Sequence, residues 1–258
     1  MPTDVFSLAG KTAVVTGAGR GFGRAIAIGF AGRGANVVVG ARTERELTAT
    51  VAECLARGGK AAAVQTDITS RAACQRLVEH AVAAFGGVDI AFCNAATGLF
   101  GPAESISETD WNREMQVTIA GYFNIAQSVG RQMIKQRRGG SIIAMSANAS
   151  IVGYAELTAG AAAKGAVDQM CRNLALEWGC HGIRVNSMNP GYTEHVPEYG
   201  DVSTGAGEDL EGGIRMMTPM GRRARIDELV WPAVFLASDA SSFITGASLV
   251  VDGGYSIK

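Results

Sequence analysis

The chain has 258 residues and a formal net charge of −1, because its 23 lysines and arginines nearly balance its 24 aspartates and glutamates. This balance offers no electrostatic attraction to nucleic acid or to an anionic membrane, so we expect neither as a partner. No apolar run approaches the length of a membrane span, and the first residues do not resemble a signal peptide. The five cysteines form no CxxC pair, which favours reduced packing residues in a cytoplasmic protein.

A glycine-rich stretch separates the first predicted strand, residues 12–15, from helix-like sequence over residues 24–30. A strand, a glycine turn and a helix N-terminus in this order form a site for a nucleotide pyrophosphate. The glycines let the backbone approach the ligand, and the first helical N–H groups face its phosphates. We therefore predict a dinucleotide site made of Thr16, Gly17, Ala18, Gly19, Arg20, Gly21, Phe22 and Gly23.

The second predicted strand, residues 36–40, leads to Arg42 and lacks the acidic residue that would hold the free ribose hydroxyls of NAD. Arg20 lies inside the glycine loop. Two guanidinium groups near one ribose suit a 2′-phosphate, so we expect NADP(H) as the cofactor. The alternative is that Arg42 points into solvent. The next helix begins with a predicted capping box of Thr43 and Glu46.

Strands and helices continue to alternate along the chain, which indicates right-handed βαβ units, a parallel sheet and one domain over residues 1–258. The pattern predicts helices over residues 43–57, 70–85 and 226–237, strands over residues 61–65, 88–93 and 183–188, and a last strand and turn over residues 248–254. Residues 193–219 are polar and weakly periodic, and we expect this irregular stretch to form a lid over the substrate.

The glycine spacing, with Gly17 followed by Gly21 and Gly23, resembles that of the short-chain dehydrogenase/reductase family, and the resemblance extends almost to the end of the chain. It implies a single-domain, Rossmann-type α/β fold, a doubly wound parallel sheet with helices on both faces. It also implies a small-molecule substrate and a homodimer or homotetramer. The resemblance adds further cofactor-binding residues. They are Asp67 and Ile68 at the adenine, Asn94, Ala95 and Ala96 lining the cofactor, and Lys164, Pro190, Gly191 and Thr193 near the nicotinamide and its ribose.

Members of this family usually carry an asparagine, a serine, a tyrosine and a lysine as catalytic residues. The resemblance places Thr118 at the asparagine, Ala147 at the serine and Gly160 at the tyrosine, and Lys164 alone keeps the family's residue. The tyrosine normally gives or takes the proton of the substrate oxygen, and such a group is worth about 10²–10⁴-fold in rate. We therefore expect a non-standard proton-transfer site in which Lys164 still holds the nicotinamide ribose.

Several side chains near position 160 are candidates to replace the missing tyrosine, although each also fits an ordinary loop or surface residue. Tyr154 is the first candidate, and Glu156 follows it in the same loop. Ser146 precedes Ala147, but adjacent residues of a strand face opposite sides, so we do not expect it to substitute. Three more candidates follow the predicted nicotinamide segment, namely Tyr192, Glu194 and His195.

Three functions remain open for this sequence. The first is an NADP(H)-dependent oxidoreductase that acts on a small carbonyl, imine or alcohol, because hydride transfer itself needs only the cofactor and its geometry. The second is a lyase, isomerase or cyclase that retains the cofactor as a structural element. The third is a catalytically impaired or engineered protein that binds the cofactor. Turnover of NADPH distinguishes the first function from the other two.

Overall fold

The computed structural model describes residues 4–194 and 210–257. Within these residues, seven parallel strands form one sheet in the order β3-β2-β1-β4-β5-β6-β7. The predicted fold class, a doubly wound α/β sheet with helices on both faces, is confirmed. The strands are β1 (Thr12–Thr16), β2 (Asn36–Ala41), β3 (Lys60–Gln65), β4 (Ile90–Cys93), β5 (Gly140–Met145), β6 (Ile183–Pro190) and β7 (Ser248–Val251).

Helices connect the strands, and their ends follow local sequence signals. The Ser70 hydroxyl caps the third helix by accepting from the Ala73 N–H, and Gly86 ends that helix at a φ of 83°. A π-helical segment, Met115–Gly121, joins the fourth and fifth helices. The helices are α1 (Gly21–Gly32), α2 (Glu44–Ala56), α3 (Arg71–Phe85), α4 (Glu108–Glu114), α5 (Tyr122–Gln136), α6 (Thr158–Trp178), α7 (Leu210–Met217) and α8 (Asp227–Ala237).

The sheet separates two apolar cores because successive strand residues point to opposite faces. On β1, Val15 packs in the core that includes Phe30 of α1 and Leu229 of α8. Its neighbour Val14 packs in the other core, with residues of α3, α5 and α6. All five residues of β1 are buried, as expected for a central strand covered on both faces.

The strand order reverses between β1 and β4, which are neighbours in the sheet. In parallel α/β sheets, ligands bind in the crevice beyond the carboxyl ends of the strands at such a reversal. The loops after β1, β4, β5 and β6 all leave that edge of the sheet. The topology therefore brings the glycine loop, the Asn94 loop, the Ala147 turn and the Pro190–Gly191 loop together.

Three local predictions are wrong. Strand β4 begins at Ile90 rather than at Val88, because the Gln136 side chain bonds both backbone groups of Val88. Thr43 makes no side-chain cap at the start of α2, so the predicted capping box does not form. The segment 193–219 was predicted to be irregular but contains the regular helix α7. Its residues 195–209 lie outside the described part of the chain, and its role as a substrate lid stays a prediction.

No helix in the described ranges combines the length and the apolar composition needed to cross a membrane.

Candidate active site

The glycine loop between β1 and α1 is a cradle in which side chains would not fit. A Cβ on Gly17, whose φ is +62°, would lie 2.7 Å from the Ala95 Cα atom. A Cβ on Gly23 would overlap the Gly17 carbonyl. The Asn94 amide fixes the loop by donating to the Gly17 carbonyl at 3.2 Å, and its backbone N–H donates to the Thr16 hydroxyl at 3.1 Å. A loop of bare backbone at a helix N-terminus fits a pyrophosphate.

The predicted adenosine side lies beyond the carboxyl end of β2. The exposed Arg42 lines a shallow cavity of about 270 Å³ together with Arg76 and Asp67. The Asp67 carboxylate accepts from the Thr69 backbone N–H at 2.9 Å. The neighbouring Ile68 is buried, and its carbonyl accepts from the Asn124 amide. Both predicted adenine residues therefore have fixed positions at the end of β3.

A carboxylate that sequence reasoning assigned to a helix cap lies against the glycine loop instead. One carboxylate oxygen of Glu46 lies 2.6 Å from the place that a Cβ on Gly19 would occupy. The predicted partner Thr43 makes no cap with its side chain. Glu46 therefore brings negative charge to the loop in which Arg20 also lies. Glu46 is the third residue of α2, and this position suggested the capping box that does not form.

Lys164 lies on α6, one turn after Gly160, and its side chain faces the end of β5. Its ammonium donates to the Met145 carbonyl at 2.7 Å and to the Tyr122 hydroxyl at 3.4 Å. Burial lowers the pKa of Lys164 to about 8, while the nearby charges of Glu114 and Asp168 raise it. A lysine in this environment is not restricted to the charged form near neutral pH.

A buried carboxylate that sequence reasoning missed lies beside Thr118. Glu114 is only 1% exposed, and Thr118 is fully buried at 0%. The hydroxyl of Thr118 donates to one carboxylate oxygen at 2.7 Å, and the hydroxyl of Thr97 donates to the other at 2.5 Å. Because Glu114 precedes Thr118 by four residues, both lie on the buried face of one helical run. That spacing was the available signal for Glu114.

Ala147 and Gly160, the positions that the resemblance assigns to the serine and the tyrosine, hold no side-chain donor. Ala147 follows β5, and its carbonyl accepts from the Ser150 hydroxyl at 2.8 Å. A Cβ on Gly160 would lie 3.0 Å from Cδ1 of Leu157, so the Leu157 side chain borders the space there. Ser146 donates to the backbone carbonyl of Lys164, which places its hydroxyl against α6.

Tyr154, the first candidate to replace the tyrosine, belongs to an aromatic cluster. Its hydroxyl donates to Oδ1 of Asn148 at 2.9 Å, and its ring stacks on Tyr255 at 5.1 Å. Tyr192 packs edge-on against both rings. Burial raises the pKa of Tyr154, which makes the phenol a weaker acid than a free tyrosine. Of the other candidates, Glu156 adopts a φ of +61°, and His195 lies outside the described residues.

The loop after β6 lies beside this cluster. A Cβ on Gly191 would lie 2.6 Å from the Cβ of Asp252, so the loop packs tightly on the turn after β7. The Asn148 amide donates to the Asp252 carboxylate at 3.2 Å. The carbonyl of Thr193 accepts from Arg223 at 3.1 Å. Pro190 and Gly191 are thereby held next to the aromatic cluster.

A cavity of about 600 Å³ lies at the opposite edge of the sheet, where the strands begin. Its charged lining is paired internally. Lys11 contacts Asp239 at 3.0 Å, and Arg138 contacts Asp89 at 2.8 Å. We therefore place the chemistry at the carboxyl edge. Over the described residues, no cluster of three or more histidine, cysteine, aspartate or glutamate side chains has the arrangement of a metal site.

Comparison with known proteins gives matches over nearly the whole chain. The family model described as Enoyl-(Acyl carrier protein) reductase matches residues 17–256. A D-threitol dehydrogenase of Mycolicibacterium smegmatis is 38% identical, with 98% of this chain and 95% of that protein covered. A gluconate 5-dehydrogenase of Gluconobacter oxydans is 36% identical, with coverage of 99% and 98%.

Solved structures agree with this assignment. The crystal structure of a gluconate 5-dehydrogenase from Burkholderia cenocepacia, in complex with NADP and tartrate, superposes with a TM-score of 0.92 at 32% identity. The match covers 99% of this chain and 98% of that one. This chain thus has the fold, the glycine cradle and a lysine beside β5, and it is similar over nearly its full length to named dehydrogenases. The chain belongs to the short-chain dehydrogenase/reductase family, and it is an oxidoreductase of that type.

Proposed function

We propose that the protein is an NADP(H)-dependent oxidoreductase that interconverts a secondary alcohol and a ketone on a small, hydroxylated substrate. The observation that carries this proposal is the cradle around Gly17 and Gly23, which excludes side chains and leaves backbone for a pyrophosphate. Lys164 lies at the other end of the same edge. When bound, the nicotinamide would supply or accept the hydride.

Each part of the cofactor has a proposed contact in this chain. The glycine loop holds the phosphates, Asp67 and Ile68 border the adenine, and Lys164 holds the nicotinamide ribose. Residues of two further loops line the nicotinamide, namely Asn94, Ala95, Ala96, Pro190, Gly191 and Thr193. Arg20 and Arg42, without an acid after β2, favour the 2′-phosphate of NADP(H). Two related solved structures contain NADP, which supports this choice.

The substrate class follows from the side chains at the carboxyl edge and from the relatives. Asn148 and Asp252 offer hydrogen-bonding groups beside the three tyrosines of the aromatic cluster. Relatives that match the whole chain are named as dehydrogenases of D-threitol, gluconate and L-rhamnose. We infer a polyol, a sugar acid or the corresponding ketone as substrate, enclosed by a lid over residues 193–219 in a homodimer or homotetramer.

The proton-transfer site is non-standard in this proposal. Thr118, Ala147 and Gly160 occupy the positions of asparagine, serine and tyrosine, and Tyr154 donates its hydroxyl to Asn148. A second candidate function is a non-redox enzyme or a catalytically impaired protein that keeps the cofactor. The observation that favours it is that neither Ala147 nor Gly160 has a side-chain donor.

The test is cofactor turnover. Absorbance at 340 nm should rise when the protein is mixed with NADP⁺ and a panel of polyols and aldonates, and it should fall with NADPH and the corresponding ketones. Gly17→Val should abolish NADPH binding, because its side chain would overlap the Ala95 backbone. Gly32→Ala is the matched control, since a Cβ there meets nothing within 4 Å. Product formation without cofactor turnover would support the non-redox alternative.

A further inference from the structure

Glu114 is a buried carboxylate that none of the proposed cofactor contacts uses. It is 1% exposed and ends α4, at the point where the chain passes into the π-helical segment Met115–Gly121. One of its oxygens accepts from the Thr118 hydroxyl at 2.7 Å, and the other accepts from the Thr97 hydroxyl at 2.5 Å. An apolar side chain of similar volume is often at least as stable as a buried charge. The stability of the fold therefore does not by itself account for this carboxylate.

Thr97 belongs to the Asn94 loop, residues 94–102, which leaves the carboxyl end of β4 and contains no helix or strand. At its start, Asn94 is fixed on the glycine cradle by two hydrogen bonds. Near its end, the Gly101 N–H donates to the carbonyl of Glu156 at 2.9 Å, in the loop before α6. The Asn94 loop therefore spans the crevice from the proposed cofactor site to the loop before α6.

The middle of the Asn94 loop has few contacts of its own. Within the described part of the chain, the bond from the Thr97 hydroxyl to Glu114 is the one hydrogen bond that residues 96–100 make. The backbone groups of this stretch pair with no strand or helix. The position of the loop between its two ends therefore depends on Glu114.

Thr118 connects the other side of the carboxylate to the helices of the site. It is fully buried in the π-helical segment, and that segment packs against α6, the helix that carries Lys164. Short π-helical turns inside α-helices are frequent at functional sites. Glu114 thus joins the Asn94 loop to a helical segment that lies against the Lys164 helix, and it does so through side chains rather than through the sheet.

We propose that Glu114 is a positioning residue, whose carboxylate ties Thr97 to Thr118 and so fixes the Asn94 loop as a wall between the cofactor and the substrate. The proposal rests on the oxidoreductase function proposed above. Glu114 itself touches neither cofactor nor substrate and transfers no proton. It acts through the Asn94 loop, whose place decides how closely the reacting carbon approaches the nicotinamide. A misplacement of about 1 Å can cost about 100-fold in rate.

The first test measures the Asn94 loop in the cofactor-free protein, by hydrogen–deuterium exchange of a peptide that covers residues 97–102. Glu114→Leu nearly keeps the side-chain volume but removes both acceptors, so this peptide should exchange at least about tenfold faster. The unfolding temperature should stay close to that of the parent, because an apolar group replaces a buried charge. Glu114→Gln should keep the slow exchange, since an amide and two hydroxyls can still form both hydrogen bonds.

The second test measures turnover with the polyols and aldonates of the substrate panel. Glu114→Leu should lower kcat/KM by about 10- to 100-fold, and Glu114→Gln should restore most of it. The dissociation constant of NADPH should not change, because Asn94 has its own anchors on the glycine cradle. A merely structural role would weaken cofactor binding and turnover together.

A change at Thr97 tests whether the effect passes through the Asn94 loop. Thr97→Val removes the hydroxyl and keeps the shape, so it also serves if Glu114→Leu does not fold. It should speed exchange and lower kcat/KM as Glu114→Leu does. The double variant should be no worse than Glu114→Leu alone, because both changes break one bridge. Thr109→Val, at an exposed threonine of α4, is the matched control and should change neither exchange nor turnover.

Four results would overturn the proposal. Parent-like exchange over residues 97–102 in a folded Glu114→Leu or Thr97→Val protein would show that the bridge does not hold the loop. Faster exchange with unchanged kcat/KM would show that turnover does not depend on the position of the loop. Equal losses of NADPH binding and turnover would leave Glu114 a structural residue. A parent protein that turns over no substrate would overturn the oxidoreductase function and this role with it, and the exchange measurement would still decide whether the bridge exists.

Discussion

At the scale of single residues, Glu46 and Arg20 bring opposite charges to the glycine loop. Arg20 would favour a bound 2′-phosphate, whereas the Glu46 carboxylate, which lies against Gly19, would repel one. A carboxylate near this ribose also suits the free hydroxyls of NAD. The preference for NADP(H) that we propose is therefore weakened by Glu46, and a single change should strengthen it.

Glu46→Gln should increase the ratio of NADPH to NADH affinity. Removing one charge within about 4 Å of a phosphate is worth about 1 kcal/mol in water, or about fivefold in the ratio of dissociation constants. Fluorescence titration with both reduced cofactors measures this ratio. Glu44→Gln, on the same turn and exposed, is the control that should change neither constant. Equal gains for NADPH and NADH would show that Glu46 does not distinguish the two cofactors.

At this scale, the sequence predicted the location of residues whose signal is local, while their roles in cofactor binding stay predictions. The glycine loop and Lys164 are defined by short motifs, and each lies at the carboxyl edge of the sheet. Glu114 was missed because its meaning depends on Thr97, a residue from another loop that approaches it only in the folded chain. Glu46 was misinterpreted because a glutamate three residues after Thr43 is compatible both with a helix cap and with a contact to the glycine loop. The sequence does not distinguish these two contacts.

At the scale of elements, α6 presents Gly160 and Lys164 one turn apart. The glycine reduces helix stability by about 1 kcal/mol relative to alanine. Around a Cβ at this position, only the flexible end of Leu157 comes within 3.4 Å, so the helix itself does not exclude a larger side chain. Restoring the family's tyrosine is therefore a local change to one face of this helix.

The triple change Thr118→Asn, Ala147→Ser and Gly160→Tyr should raise kcat for ketone reduction by about 10²–10⁴-fold. Tyr at position 160 would lie beside the Lys164 ammonium, which lowers the pKa of a phenol. Adding Leu157→Ala should increase the gain, because Leu157 borders the new ring. Turnover of NADPH measures the effect.

The control for this change is Gly165→Ala on the same helix. It meets nothing within 4 Å, and it should stabilise the protein by about 1 kcal/mol without a gain in rate. A folded triple variant that binds NADPH but is no faster would show that the pocket differs from the family's beyond these three positions.

Elements were predictable where the hydrophobic period was regular, and less so where side chains from elsewhere intervene. Strand β4 is shorter than predicted because the Gln136 side chain, and not a neighbouring strand, bonds the backbone N–H and carbonyl of Val88. The π-helical geometry of Met115–Gly121 has no signature in the hydrophobic pattern. Helix α7 was missed because two of its eight residues are glycine, which disfavours a helix.

At the scale of the whole molecule, the alternation of strands and helices was sufficient to predict a parallel sheet, and short right-handed connections permit few arrangements. The resulting sheet has two edges, β3 and β7. An edge strand exposes unpaired backbone groups and tends to associate with another chain. Val250 of β7 is exposed, and so is Phe243 in the segment that leads to this strand.

We therefore predict that Val250→Lys weakens the proposed homo-oligomer. In a two-fold interface the same surface meets itself, so the substitution brings two like charges together, at a cost of several kcal/mol. Light scattering at micromolar concentration should show a smaller assembly than that of the parent protein. Circular dichroism should show that the variant remains folded, because β7 keeps its pairing with β6. Ala63→Lys on the opposite edge strand is the control and should leave the assembly unchanged. Two results would contradict this prediction. One is a parent protein that is monomeric, and the other is a Val250→Lys assembly with the same mass as the parent assembly. Either result would show that β7 does not contribute to an interface between copies.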